Sequence, residues 1–196
     1  IVRAEFEVLR SDQPWAAVQF LREVVHFLTP AQRKTAGSFL RQAPVAGVLA
    51  QGLSSLAAYL GRKMKLEALA LLLDLDWEDE HLSGMHDLQN IFCHLHVREL
   101  GAAEKLVAKA TSAGAKAWAS TLLALRFEGS RRHKLLEQAR ASAHHIKRRK
   151  NKADILRELW PHFPTEQRIE VLDECCEAML AGHSASRRVQ ELRCLA

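Results

Sequence analysis

From Trp15 onward, apolar side chains recur at three- and four-residue intervals in block after block, with only a few residues between blocks. A 3.6-residue period with short punctuation specifies amphipathic helices and leaves no stretch that alternates as a strand would. Leu and Ala dominate, there is one Tyr, and Gly and Pro together number 14 in 196 residues. Such a chain is rich in helix formers and poor in breakers.

The punctuation supplies helix boundaries. Ser11-Asp12-Gln13-Pro14 and Thr29-Pro30 each place a polar cap before a proline at the first helical position. Ala43-Pro44 closes the second helix, and a third is expected from about Val45 to Leu60, ending at Gly61. Lys65 to Leu75 is apolar enough to predict a helix buried on most sides. One helix is expected over roughly Met85 to Leu100, with breaks at Gly101 and Gly114 and a cap at Ser130. Pro161 and Pro164 separate a helix through Leu156 and Leu159 from one running to Leu180, and a last helix is expected from Ser184 or Ser186. The sum is nine or ten helices, and connectors this short fold neighbours into antiparallel hairpins.

An internal echo sharpens the picture. Phe20 to Arg33 reads FLREVVHFLTPAQR and Ile155 to Arg168 reads ILRELWPHFPTEQR, at a constant offset of 135 residues. Leu21, Arg22, Glu23, Gln32 and Arg33 find identical partners in Leu156, Arg157, Glu158, Gln167 and Arg168. Stacked hairpins repeat turn chemistry in this way while the rest drifts, and the offset accommodates three or four repeats of about 34 to 45 residues. The expected fold is all-α, antiparallel helical hairpins stacked as a solenoid, with a compact helical bundle as the alternative. In architecture the hairpins resemble HEAT or armadillo units. Residues 1–196 are expected to form a single all-helical domain, and a start at Ile1 fits a piece of a larger protein.

Several function classes fall away. Cys93, Cys175, Cys176 and Cys194 lack the spacing of a secreted disulfide framework, and Cys176, in line with Leu172 and Met179, is expected to be a small core residue. No signal peptide is seen, and the longest apolar run, Leu66 to Leu75, is too short for a membrane span. An intracellular location, nucleus or cytoplasm, is expected. His81, His86, Asp87, Cys93, His94 and His96 are residue types that zinc accepts, but His94 and His96 point apart on a helix and neither CxxC nor HExxH occurs. The acids at Asp74, Asp76, Glu78 and Asp79 read as a solvated run. No nucleophile elbow, phosphate-binding loop or dinucleotide fingerprint is present. The expectation is a non-enzyme with no catalytic, cofactor-binding or metal residues.

The charge is local. Formal net charge is +5, yet Arg126 to Lys152 holds ten Lys or Arg against Glu128 and Glu137. Lys147-Arg148-Arg149-Lys150 would point in four directions about 100° apart, so no packed helix can bury that run. It must lie at a turn or an exposed helix end, and a solvated turn with no partner for its charge is one of its readings. The interaction candidates are Arg131, Arg132, Lys134, Arg140, Lys147, Arg148, Arg149, Lys150 and Lys152. Phe127 and Trp160, which flank them, fit core stripes better than stacking platforms. The expected function is a scaffold mediating protein–protein interaction within a larger assembly, with an acidic protein surface as partner. The alternative is DNA or RNA binding through segment 126–152. KRRK also has the form of a nuclear-import signal, and no membrane partner is expected.

Overall fold

The computed structural model describes residues 14–40, 46–75 and 83–180. Among them are ten α-helices: α1 (Pro14–Val24), α2 (Pro30–Leu40), α3 (Ala46–Ser55), α4 (Arg62–Asp74), α5 (Ser83–Cys93), α6 (Val97–Lys109), α7 (Ala113–Ala124), α8 (Gly129–His144), α9 (Arg149–Leu159) and α10 (Thr165–Leu180). Short 3-10 turns cover Val25–Phe27, Ala57–Tyr59 and Trp160–His162. No strand occurs among the described residues, so the all-α expectation holds. No described helix is long and apolar enough to cross a membrane. The cap expected around Ser11 and Asp12, the Ala43-Pro44 stop and the final helix lie outside the described residues.

The described helices fall into two compact units. The first runs to Leu75 and resumes over Ser83–Ala110. At its centre is α3, which packs against α1, α2, α4 and α5. A helix with four neighbours must be thin, and its sequence, AGVLAQGLSS, is mostly small residues. At Gly52 an added Cβ would fall inside the isobutyl group of Leu40, itself fully buried, so the Leu40 side chain of α2 packs directly on the α3 backbone. Leu53, Leu69, Leu72, Leu88 and Ile91 fill the space around α3. Each such buried side chain contributes about 1.5–3 kcal/mol. Lys65 to Leu75 is therefore not the most enclosed segment. It lies in α4, where Leu66, Ala70 and Leu71 are only half-buried.

The second unit begins at Thr111. Here α7 is central: from Gly114 to Ala124 every residue except Lys116 is buried. It too is built from small side chains, AGAKAWASTLLA, and it packs chiefly on α8. Helix α9 lies against α7, α8 and α10. Val171, Cys175 and Ala178 form the buried stripe of α10, while Leu172 and Cys176 are half-buried. The core cysteine is Cys175 rather than Cys176, because α10 turns the stripe one residue earlier toward α9. Within each unit, then, the helices gather around one thin central helix as a compact bundle.

The connectors are more regular than the helices. An apolar residue stands at Leu28, Leu60, Leu95, Phe127 and Phe163, and a helix begins two residues later each time, at Pro30, Arg62, Val97, Gly129 and Thr165. The intervals are 32 to 36 residues. Three of these connectors share a 3-10 turn whose following residue is extended and donates its N–H back to the first turn carbonyl: Leu28 to Val25, Leu60 to Ala57 and Phe163 to Trp160. The echo between Phe20 and Arg168 thus joins the first and last of five positions. At Leu95 and Phe127 there is no 3-10 turn, but the N–H likewise reaches the carbonyl three residues back, on Phe92 and Ala124.

Caps confirm some boundaries and move others. The Thr29 hydroxyl accepts from the Gln32 N–H at 3.4 Å, while the Gln32 side chain accepts from the Thr29 N–H at 2.8 Å, a reciprocal box that starts α2 at Pro30. The expected helix from Met85 to Leu100 is broken at His94–His96. Leu95 enters the core there, and Glu99 Oε2 accepts from the His96 N–H at 2.8 Å to start a new helix. Gly101 is then an exposed interior residue of α6, and Gly114 lies inside α7, whose cap is Ser112. Helix α8 begins at Gly129, which takes φ +60°, so Glu128 rather than Ser130 stands at the cap position.

Candidate nucleic-acid interface

Eight of the nine basic candidates occupy the two ends of the α8–α9 hairpin in the second unit, and Arg140 lies within α8. At the start of α8, Arg131 and Lys134 are exposed and Arg132 is half-buried. The Arg131 guanidinium lies 4.0 Å from the centre of the Phe127 ring, so a half-buried aromatic holds the cation in place. Burial lowers the His162 pKa, and Arg132 and Arg168 lower it further against an opposing effect of Glu158.

At the other end the chain leaves α8 through His145, buries Ile146, and enters α9 at Arg149. Lys147, Arg148, Arg149 and Lys150 are all exposed, as charges pointing in four directions require. Lys152 is half-buried, with Nζ 3.4 Å from Nδ1 of His144. Neither α8 nor α9 has an acid in its first turn or a side-chain cap bond, though Glu128 stands at the cap position of α8, whereas α9 has Arg148 there. Cations at the positive pole of a helix are unfavourable by about 0.3–1 kcal/mol each. An anion bound there would reverse the sign of that interaction.

Arg140 does something else. Its Nη2 donates to Glu174 at 2.6 Å and to Glu170 at 3.2 Å, and its Nε reaches Glu174 at 3.1 Å. His144 Nε2 lies 3.2 Å from the other Glu174 oxygen. Arg140 thereby ties α8 to α10, and its charge is neutralised within the unit. The remaining eight residues are separated into two groups by the length of α8, 16 residues or about 24 Å. A single small anion cannot touch both groups. A polyanion can, since about 24 Å is roughly seven base steps of a nucleic-acid strand.

The first unit contains the polar groups that sequence reasoning missed. Arg22 Nη2 donates to Asp87 Oδ1 at 2.7 Å, and its Nε donates to Ser55 Oγ at 3.1 Å. Burial pushes the Asp87 carboxyl above its ordinary pKa, an effect that Arg22 only partly offsets. Lys65 is buried, donates to the His94 carbonyl at 2.6 Å and stands 3.7 Å from Glu99 Oε2. Burial raises the Glu99 pKa, but the His96 N–H and the Lys65 ammonium outweigh it and hold the carboxyl below its ordinary value. A lysine inside the apolar α4 pattern was the available signal. Its partner, 34 positions along the chain, was not visible.

The histidine candidates do not assemble. His86 and His96 are exposed, His94 is half-buried, and Cys93 is exposed at the end of α5. Among the described residues no group of three or more His, Cys, Asp or Glu side chains could hold a metal ion. His81 and the acids after Asp74 lie outside those residues. Of the tryptophans, Trp118 is buried and Trp160 half-buried. Comparison with protein-family models, curated proteins and solved structures finds no match to this chain.

Proposed function

We propose that this chain is a non-catalytic, nucleic-acid-binding helical protein that uses the basic segment 126–152. The observation that carries the reading is the set of exposed cations Arg131, Lys134 and Lys147–Lys150 at the starts of α8 and α9, with no acid at the cap or in the first turn of α9. The basic groups would contact phosphates and position the polymer. Contacts to phosphate carry no sequence information, so binding through these groups would be sequence-tolerant. The test is oligonucleotide affinity between about 50 and 200 mM salt, for the parent chain and for Arg148→Glu/Arg149→Glu/Lys150→Glu. The parent should weaken steeply with salt, and the triple variant should lose about two to three units of log–log slope. Unchanged affinity and slope in the variant would remove the basis of the reading.

A second reading is a protein-interaction scaffold within a larger assembly, built of stacked HEAT- or armadillo-like hairpins. It is favoured by the connectors recurring every 32 to 36 residues and by large apolar side chains left in water, Phe27 at 86% and Ile169 at 69% exposure. Its partner would be a protein with an acidic surface, in the nucleus or the cytoplasm. Recovery from cell extract of one stoichiometric protein that survives nuclease and the triple charge reversal would favour it over nucleic acid.

A further inference from the structure

The first unit contains a cleft of about 390 Å³ between α2 and the start of α4, with Pro30, Arg33, Lys34, Tyr59, Leu60 and Met64 in its lining. Much of that lining is apolar and open to water: Pro30 and Tyr59 are exposed, and Leu60 and Met64 are half-buried. Gly37 also lines the cleft, and a Cβ added there would come within 3.2 Å of Met64 Cε, so bare backbone meets a flexible thioether. A methionine floor adapts to the side chain it receives. The charge on the lining has one sign. Arg33 and Lys34 belong to it, and none of the described lining residues is acidic. Helix α2 contains no Asp or Glu, and the first turn of α4 has no acid while Arg62 and Lys63 on it are exposed. Elsewhere Arg22, Lys65, Arg140 and Arg157 each meet a carboxylate. Arg33 is held by neutral groups instead. Its Nε donates to the Val25 carbonyl at 3.2 Å, its Nη2 to the His26 carbonyl at 3.4 Å, and its guanidinium lies 3.5 Å from the centre of the Tyr59 ring. The cation is thus fixed in place without a counter-ion.

We infer that this cleft docks a segment of a partner protein that carries bulky apolar side chains flanked by Asp or Glu. The apolar side chains cover Leu60 and Met64, and the carboxylates supply the charge that Arg33 and Lys34 lack. Complementary charge of this kind selects the partner and speeds encounter, while the buried apolar contact holds it. Nucleic-acid phosphates would meet the cations but leave the apolar lining in water. A wholly apolar segment would cover the lining and leave Arg33 without a counter-ion. The volume lies within the range of clefts that enclose small groups. This site is in the first unit and does not depend on the basic segment 126–152.

The experiment is fluorescence anisotropy of a labelled peptide, Leu-Phe-Leu with three glutamates on each side, titrated with the whole chain at about 50 mM salt. It should bind saturably with Kd below about 1 mM and weaken as salt rises. Replacing the central residues by alanine should weaken binding about tenfold or more, and so should replacing the glutamates by lysine. Lys34→Glu, at an exposed position, should weaken the parent peptide several-fold while leaving thermal unfolding unchanged, which separates loss of the site from loss of the fold. Met64→Glu places an acid on the floor and should abolish binding. The Arg148/Arg149/Lys150 charge reversal should leave peptide binding intact, so failure of the phosphate contact is distinguishable from failure here. An alanine-centred peptide that binds as tightly as the parent would reduce the contact to charge alone and overturn the inference. So would peptide binding that Lys34→Glu and Met64→Glu leave unchanged. Absence of peptide binding, together with binding to phosphatidylserine vesicles that Lys34→Glu abolishes, would overturn it in favour of an anionic lipid.

Discussion

Lys65→Met should destabilise this protein far more than a substitution of similar volume in a helix ordinarily does. The Lys65 side chain is 6% exposed and its Nζ serves two acceptors, the His94 carbonyl at 2.6 Å and Glu99 Oε2 at 3.7 Å. Methionine fills the same space but donates nothing. Glu99, 1% exposed, would keep only the His96 N–H at 2.8 Å, and the His94 carbonyl would lose its lysine donor. Breaking a buried pair by removing one member destabilises by about 3–5 kcal/mol, because a charge is left without its counterpart. For a chain of this size that is a fall of about 6–20 °C in Tm, measurable by circular dichroism on heating and by urea unfolding. Adding Glu99→Gln should recover most of the loss, since the amide oxygen still accepts from His96 and no charge remains. The pH dependence has a definite sign. The Glu99 pKa is held low in the folded state, so its contribution is complete above the unfolded value of about 4.3 and is lost as pH falls through the folded one. The gap between parent and Lys65→Met should therefore be widest near neutrality and narrow in acid. A loss under about 1 kcal/mol at pH 7, or a double variant no more stable than the single, would refute the reasoning.

Two further outcomes follow from the second unit. Arg140→Gln should destabilise by about 1–3 kcal/mol, because it breaks the contacts between α8 and Glu170 and Glu174 on α10, yet leave the salt dependence of oligonucleotide binding unchanged. Thermal unfolding and a salt titration on the same variant check both halves. Burial pushes the Cys175 thiol up to about 11, and its Sγ donates to the Ala153 carbonyl at 3.4 Å. At pH 8 roughly one thiol in a thousand is then thiolate, so a thiol reagent should modify exposed Cys93 well before Cys175 in the native protein and both at similar rates in urea. Mass spectrometry of the labelled peptides reads the order.

The basic segment was legible because it rests on local geometry. Four adjacent charges cannot share one buried face, so Lys147–Lys150 had to be exposed at a turn or a helix end, and they are. Arg140 belonged to the same cluster by composition, but Glu170 and Glu174 reach it from another helix, and no local pattern announces that. The Met85–Leu100 helix failed for a related reason. Its apolar period continues through the break, and what stops it is Leu95 turning inward while Lys65, from α4, holds the His94 carbonyl.

The sequence by itself determined that the chain is helical, which prolines begin helices, and where charge must meet water, because each depends on neighbours within one or two turns. Tertiary structure decided which helices became central. Helices α3 and α7 won those places through small residues that admit four neighbours or near-complete burial, while α4, with bulkier leucines and five charged residues, stayed half-covered. It also decided which of two adjacent cysteines entered the core, since a rotation of α10 by about 100° exchanges them. Asp87, finally, was one acid among several in the sequence. Packing buried it and paired one of its oxygens with Arg22.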